Sequence, residues 1–262
     1  VTYRPVLVCV AGTYRTASST QYQITRDIVE ESGLGLGIGY HTEGALQKYD
    51  NYDATYIVCK VFAPIWLYYY DTHDNLKRKE SYGKVYHQQG RLLGVVSIRN
   101  PFDILTSMKT RTLSRQGGKR ETEPWDGIKV ASQDFPKWLG DLEKWCNLWP
   151  LTYWSKFETF TQDLATEAMG IAKHLRINLT QEKAQEIAAR YTPQKINARK
   201  GQEYNRPLES EKRHLSVVPQ VVHGTSGHYK DHLTPEEILA VEKYNMDFFL
   251  RFDYPLNFRS LG

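Results

Sequence analysis

The sequence predicts an α/β domain of three layers, with a mainly parallel central sheet flanked by helices. Its strand-like stretches are unbroken apolar runs, not alternating ones, which is the pattern of strands covered on both faces. Helical patterns separate those runs, so successive strands must be joined by crossovers, which favour one hand and place helices on both sides of a sheet. With 262 residues, 40% of them hydrophobic, the chain can bury such a core as a single domain over 1–262.

The first strand, Val6 to Ala11, feeds Gly12-Thr13-Tyr14-Arg15-Thr16-Ala17-Ser18-Ser19-Thr20, a loop of small and hydroxyl residues that opens onto a helix over Ser19 to Ser32. Backbone N–H groups at such a helix start form an anion cradle, although a capped helix alone also begins this way. Gly33-Leu34-Gly35-Leu36-Gly37-Ile38-Gly39 follows a helix and opens none, so it reads as a helix stop and a flexible turn, not a dinucleotide fingerprint. A second strand, Thr55 to Phe62, carries Lys60 near its end, and a third runs from Leu92 to Ile98. The third passes through Arg99-Asn100-Pro101-Phe102-Asp103 into a helix over Phe102 to Thr112, with Ser107 eight residues after Arg99. A strand-end arginine and a serine on the next helix give one phosphate two ligands.

Further helices are expected at Phe135 to Leu148, Asp163 to Leu175 and Gln181 to Tyr191, with a strand at Leu151 to Trp154. Asn178-Leu179-Thr180 is formally a glycosylation sequon but reads as a turn plus a helix cap at Thr180. The last helix, Pro235 to Leu250, is announced by Thr234-Pro235-Glu236-Glu237, a cap followed by proline and acids. Gln116 to Trp125 and Lys195 to Gln220 lack periodicity and are expected to be substrate-side loops.

A net charge of +4 suits an anionic small ligand better than a nucleic-acid track, and the one dense basic run, Lys77-Arg78-Lys79, reads as a solvated face. No apolar stretch approaches the ~20 residues of a membrane span. Cys9, Cys59 and Cys146 lie in strand-like or amphipathic stretches as buried thiols, without CxxC or HExxH spacing. The expectation is therefore a cytoplasmic protein without a metal site, a signal peptide, a membrane anchor or a nucleic-acid partner. The oligomeric state, monomer or homodimer, is left open.

Two phosphate sites point to a nucleotide phosphorylated at two positions. A Walker-type loop would carry lysine and a second glycine where this one has Arg15 and Ala17, which argues against a nucleoside-triphosphate enzyme. The residues instead resemble the sulfotransferases that use 3′-phosphoadenosine 5′-phosphosulfate (PAPS). Arg15-Thr16-Ala17-Ser18-Ser19 is similar to their phosphosulfate loop with its glycine replaced by alanine. Arg99, Pro101, Asp103 and Ser107 match their 3′-phosphate motif, and Gly224-Thr225-Ser226-Gly227-His228-Tyr229-Lys230-Asp231 resembles their late segment R-K-G-x-x-G-D-W-K. The three motifs keep the family's order across roughly residues 5 to 255.

The resemblance implies a P-loop-like sulfotransferase fold, with PAPS as cosubstrate, 3′-phosphoadenosine 5′-phosphate (PAP) as product and no required metal. It implies cofactor contacts from Arg15, Thr16, Ala17, Ser18, Ser19, Thr20, Arg99, Ser107, Phe157, His223 and Gly224. Val222-His223 replaces the family's basic pair, with Arg199 or Lys200 as possible compensation. Thr20 stands where an adenine-stacking aromatic is common, and Phe157 where a tyrosine often touches the base. Lys60-Val61-Phe62-Ala63-Pro64 resembles a strand end that usually carries the catalytic histidine, here Phe62.

Sulfuryl transfer carries less charge than phosphoryl transfer, so fixed amides and cations suffice to stabilise an in-line displacement. Arg15 is the candidate for the bridging oxygen and Lys60 for the equatorial sulfate oxygens. With Phe62 at the usual histidine position, Glu43 is the candidate general base and His41 the second, followed by His73, His87 and His228; Asp103 reads as a brace. Aromatics such as Trp66, Tyr68 and Trp125 suit a small-molecule hydroxyl or amine as acceptor. A small-molecule kinase and a non-catalytic PAP or PAPS binder are the alternatives.

Overall fold

The computed structural model describes residues 4–12, 15–40, 43–61, 69–71, 78–80, 82–116, 125–148, 151–196, 198 and 226–257. In chain order the elements are β1 (Val6–Gly12), α1 (Ser18–Glu31), β2 (Gly35–Tyr40), α2 (Glu43–Tyr49), β3 (Tyr56–Lys60), β4 (Tyr69–Asp71) and β5 (Arg78–Glu80). There follow α3 (Tyr82–Gln88), β6 (Leu92–Ile98), α4 (Pro101–Gln116), α5 (Gly127–Lys129), a π-helical turn (Val130–Asp134), α6 (Phe135–Leu148) and β7 (Thr152–Lys156). The remainder is α7 (Phe157–Phe160), α8 (Leu164–His174), α9 (Gln181–Ala188), a 3₁₀ turn (His228–Asp231) and α10 (Pro235–Arg251).

Five strands pair in the order β2-β3-β1-β6-β7, and every pairing is parallel. The short strands β4 and β5 form a separate antiparallel pair. Alternate residues of β1 serve two cores, as unbroken apolar runs require. Leu7, Cys9 and Ala11 pack with Phe102 and Leu105 of α4, Phe135 of α6 and Val241 and Phe249 of α10. Val8 and Val10 pack with Ile24 and Ile28 of α1, Ile171 of α8 and Ile187 of α9. The three-layer expectation therefore holds.

Cys9 and Cys59 are register partners on β1 and β3, both buried, with sulfurs 3.5 Å apart. Desolvation raises the Cys9 thiol well above its ordinary value, in keeping with packed rather than reactive sulfur. The Cys146 side chain lies outside the described residues.

The glycine-rich stretch corrects one expectation. Gly33 does stop α1, with φ 70, but Gly35–Tyr40 is an edge strand and not a flexible turn. A side chain on Gly35 would collide with the Tyr56 carbonyl, and one on Gly37 with Arg26 and the Tyr22 hydroxyl of α1. The glycines let α1 lie close over the sheet edge, where Tyr22 also accepts a hydrogen bond from Gly39 N at 2.7 Å. Leu36 and Ile38, between the glycines, face the other core.

Thr180 caps α9 by accepting from Lys183 N, and Thr234 with Glu237 forms the capping box of α10. Most of Gln116 to Trp125 and of Lys195 to Gln220 lies outside the described residues.

Candidate active site

The carboxyl ends of β1, β3 and β6 deliver the candidate residues to one end of the sheet, where open α/β sheets place their ligands. Gly12 closes β1. A side chain there would collide with Ser97 Oγ and Thr16 Oγ1, so glycine is what allows the loop to turn directly over β6. Thr16 and Ser97 share a hydrogen bond of 2.9 Å, both fully buried, which pins the loop to the sheet.

Arg15 and Ala17 take left-handed backbone, with φ 66 and φ 57. That turn brings the chain into α1 at Ser18. Ala17, as N-cap, makes no side-chain hydrogen bond, and the first turn of α1 holds no acid. The positive end of α1 is thus left without a side-chain oxygen from its own cap, as an anion cradle requires. Ser18 and Ser19 stand half-buried in this first turn, Thr20 is buried, and Ser19 also bonds the Tyr40 hydroxyl at the end of β2.

Arg99, at the exit of β6, is 5% exposed. Its Nη1 donates to the Arg15 carbonyl at 3.1 Å, and its guanidinium lies 4.0 Å from the centre of the Phe157 ring. Burial pulls its pKa below the ordinary arginine value, against the opposing influence of Asp103 and Glu158. Arg15 Nε in turn donates to Ser107 Oγ at 2.9 Å. The first loop and the second motif therefore meet through side chains 92 residues apart in sequence.

Asp103 is the brace that was expected. Its carboxylate accepts from Ser226 Oγ at 2.6 Å and from Gly227 N at 3.0 Å, mooring the late segment to α4. Gly227, with φ 88, then starts the 3₁₀ turn, from which Tyr229 stacks on Phe102 with ring centres 4.6 Å apart. His228 is exposed, with its Nδ1 4.0 Å from Asp231 Oδ2.

Lys60 ends β3 with 1% exposure, so it does not snorkel to solvent. Its Nζ donates to the Val61 carbonyl at 3.2 Å, and burial lowers its pKa to about 7, with only a smaller opposing influence from Cys59. A lysine so placed changes protonation near neutrality and responds strongly to a nearby anion.

Phe157 is buried, in edge contact with Phe160 and covered on one face by Arg99. Glu43 opens α2, but its side chain lies outside the described residues, as do His41, Phe62, His73, Arg199, Lys200, His223 and Gly224.

Three supporting residues escape a sequence reading. Ser97 hides in an apolar strand. Asn100 Oδ1 accepts from Phe102 N at 3.0 Å and so caps α4, and the one signal that could have found it is its position before Pro101. Glu158 accepts from Asn100 N at 2.8 Å and from the Tyr254 hydroxyl at 3.1 Å, a long-range tie with no local signature. In the first turn of α10, Glu237 accepts from Lys109 Nζ of α4, Trp125 Nε1 and Thr234 N, each at 2.9 Å.

The fold occurs in solved sulfotransferase structures. Mouse sulfotransferase SULT7A1 complexed with PAP superposes with a TM-score of 0.61 at 12% identity, over 96% of this chain and 87% of that one. Retinol dehydratase in complex with androsterone and inactive cofactor PAP gives 0.52 at 13% identity, over 99% and 84%. The same enzyme with retinol and PAP gives 0.51 at 13%, over 94% and 82%. No curated protein sequence matches the chain significantly. Identities this low establish the fold alone, but a family profile described as the sulfotransferase domain matches residues 94–248, from β6 through α4 and into α10. The chain therefore belongs to the sulfotransferase domain family, whose members are enzymes that transfer a sulfuryl group.

Proposed function

We propose that the enzyme takes its sulfuryl group from PAPS, releases PAP and sulfates a hydroxyl or amine of a small molecule. The observation that carries this reading is the convergence of the uncapped α1 N-terminus with Arg99, Arg15 and Ser107. One anion cradle lies beside a second cationic cluster, the arrangement that a nucleotide with separate 5′ and 3′ groups demands. Support also comes from the solved relatives, which hold PAP, two of them together with androsterone or retinol.

In the proposed reaction the acceptor oxygen or nitrogen attacks sulfur in line. The bond from sulfur to the 5′-phosphate oxygen breaks, and the phosphate leaves with its electron pair. Amides of the α1 N-terminus stabilise the charge gathering on that oxygen, and Lys60 the equatorial sulfate oxygens. Glu43 takes the acceptor's proton, with His41 as the second candidate. Residues 1–262 act as one domain, and the bound groups need no metal. The kinase alternative is not carried forward, because the matched family transfers sulfuryl groups.

Calorimetric titration with PAP and with ADP tests the donor. Both nucleotides carry two phosphates, but only PAP has one on the ribose 3′ oxygen. PAP is expected to bind more tightly by at least about tenfold, the worth of one charge-assisted contact. Equal affinities would sink the assignment. Turnover of labelled PAPS across an acceptor panel in excess EDTA then reads the acceptor class and the metal requirement together.

A further inference from the structure

We propose that Tyr254 is a positioning residue for the nucleotide site: through the Glu158 carboxylate it fixes Arg99 for the 3′-phosphate. The inference rests on the PAPS reading, in which Arg99 meets that phosphate.

The end of α10 aims this side chain. Asp253 takes left-handed backbone, with φ 52. Its N–H donates to the Leu250 carbonyl at 3.4 Å and that of Tyr254 to the Phe249 carbonyl at 2.9 Å, the pair of bonds by which a helix end turns back on itself. The Tyr254 ring therefore folds onto the helix it has just left, nearly parallel to Phe248 with centres 6.1 Å apart and edge-on to Phe249 at 6.5 Å. Phenylalanine would fill that aromatic cluster equally well. What tyrosine adds is a hydroxyl, which donates to Glu158 Oε2 at 3.1 Å from a residue only 8% exposed. A buried hydroxyl costs stability unless it is bonded, so the bond to Glu158 is what admits tyrosine at this position.

Glu158 reaches Arg99 by two routes. Its Oε1 accepts from the backbone N–H of Asn100 at 2.8 Å, and Asn100 is the residue after Arg99 at the exit of β6. Its own chain neighbour, Phe157, carries the ring that lies 4.0 Å from the Arg99 guanidinium. One carboxylate thus fastens both the root of the Arg99 side chain and the plate against which its guanidinium stacks. A carboxylate held by a donor on each oxygen has a single orientation. Without the Tyr254 hydroxyl, Oε2 is released and the bond to Asn100 becomes a pivot. The loss falls on the alignment of Arg99, and a charge-assisted contact to phosphate depends on alignment. The amides at the start of α1 take no part in this relay.

The test compares PAP with AMP, which lacks only the 3′-phosphate, by calorimetry on the full chain. The donor reading requires a wild-type preference for PAP; without it that reading fails and takes this proposal with it. Given the preference, Tyr254→Phe is expected to weaken PAP by about 3–10-fold while AMP changes by less than about twofold. In a Glu158→Ala background the same substitution is expected to change PAP affinity by less than about twofold, because Tyr254 acts through that carboxylate. A thermal melt without nucleotide reads whether each variant folds, and should Glu158→Ala not fold, the split between PAP and AMP in Tyr254→Phe alone decides. An equal loss for both nucleotides, an unchanged affinity for PAP, or a loss that persists without Glu158 overturns the proposal, and in each case the wild-type preference leaves the donor reading standing.

Discussion

Replacing Ala17 with glycine is expected to stabilise the enzyme, although glycine normally loosens a chain. Ala17 sits at φ 57 and ψ 25, immediately before α1. Left-handed backbone costs an L-residue about 1–2 kcal/mol, because Cβ crowds the following carbonyl oxygen. Glycine escapes that crowding but gains freedom in the unfolded chain, a loss of about 0.4–1 kcal/mol. The first effect wins by roughly 0.5–1 kcal/mol. For a domain of this length the gain corresponds to a melting temperature higher by about 1–4 °C.

Scanning calorimetry of the nucleotide-free enzyme checks the value, and Ala17→Val is the control. A β-branched side chain at the same φ adds crowding and should lower the midpoint. A lower midpoint for Ala17→Gly, or equal midpoints for glycine and valine, would refute the left-handed turn on which the cradle's geometry depends.

Asp103→Ala removes the acceptor of Ser226 and Gly227 and is expected to destabilise the fold by about 2–4 kcal/mol in urea unfolding; a change below about 1 kcal/mol would mean the late segment is held elsewhere. Lys60, with its pKa lowered by burial to about 7, is mostly neutral at pH 8 in the free enzyme, so binding anionic PAP there should take up close to one proton. Calorimetry in buffers of different ionisation enthalpy reads that uptake, which should vanish in Lys60→Met. The unfolded chain binds more protons at Lys60 between pH 7 and 10.5, so this residue makes stability rise with pH across that window, and Lys60→Met should flatten the rise. Glu43→Gln should lower kcat by about 10²–10⁴-fold with PAP binding nearly unchanged; a near-normal kcat, with His41→Ala inactive, transfers the role of base to His41.

Much of this architecture was legible because it is local. Unbroken apolar runs gave β1, β3 and β6 within a residue or two, and Thr234 with Glu237 announced the start of α10. Edge strand β2 was misread because glycine weakens a strand's signal. Its Gly-Leu-Gly-Ile-Gly-Tyr alternation was nevertheless a period of two, and only the approach of α1 explains why glycine fills alternate places. The small helices α2 and α3 carry short, polar patterns that packing, not propensity, fixes. In the site, the motifs located Arg15, Arg99 and Ser107, but not the bond between Arg15 and Ser107, which depends on two positive φ angles and on α4 lying beside the loop. Glu158 had no local signal, since its partners Asn100 and Tyr254 lie 58 and 96 residues away.

The buried charges of this end of the sheet have a common logic. Arg99 and Lys60 are desolvated basic groups, and both are held below their ordinary pKa values by burial. Desolvating a charge costs stability, and Asp103 and Glu158 offset part of that cost for Arg99 while using their hydrogen bonds to fasten the late segment and the start of α4. A nucleotide with two anionic groups would supply the rest. Its binding energy therefore includes relief of a penalty already built into the free enzyme, which favours a charged ligand over a neutral one of the same shape. A carboxylate placed directly against the cations in the cleft would stabilise the empty enzyme and would have to be displaced by every incoming nucleotide. Moving a carboxylate into that position, as in Ser107→Asp, should raise the melting temperature of the free enzyme by pairing with Arg15 while abolishing the preference for PAP over AMP, and an unchanged preference would show that the cluster does not meet the 3′-phosphate.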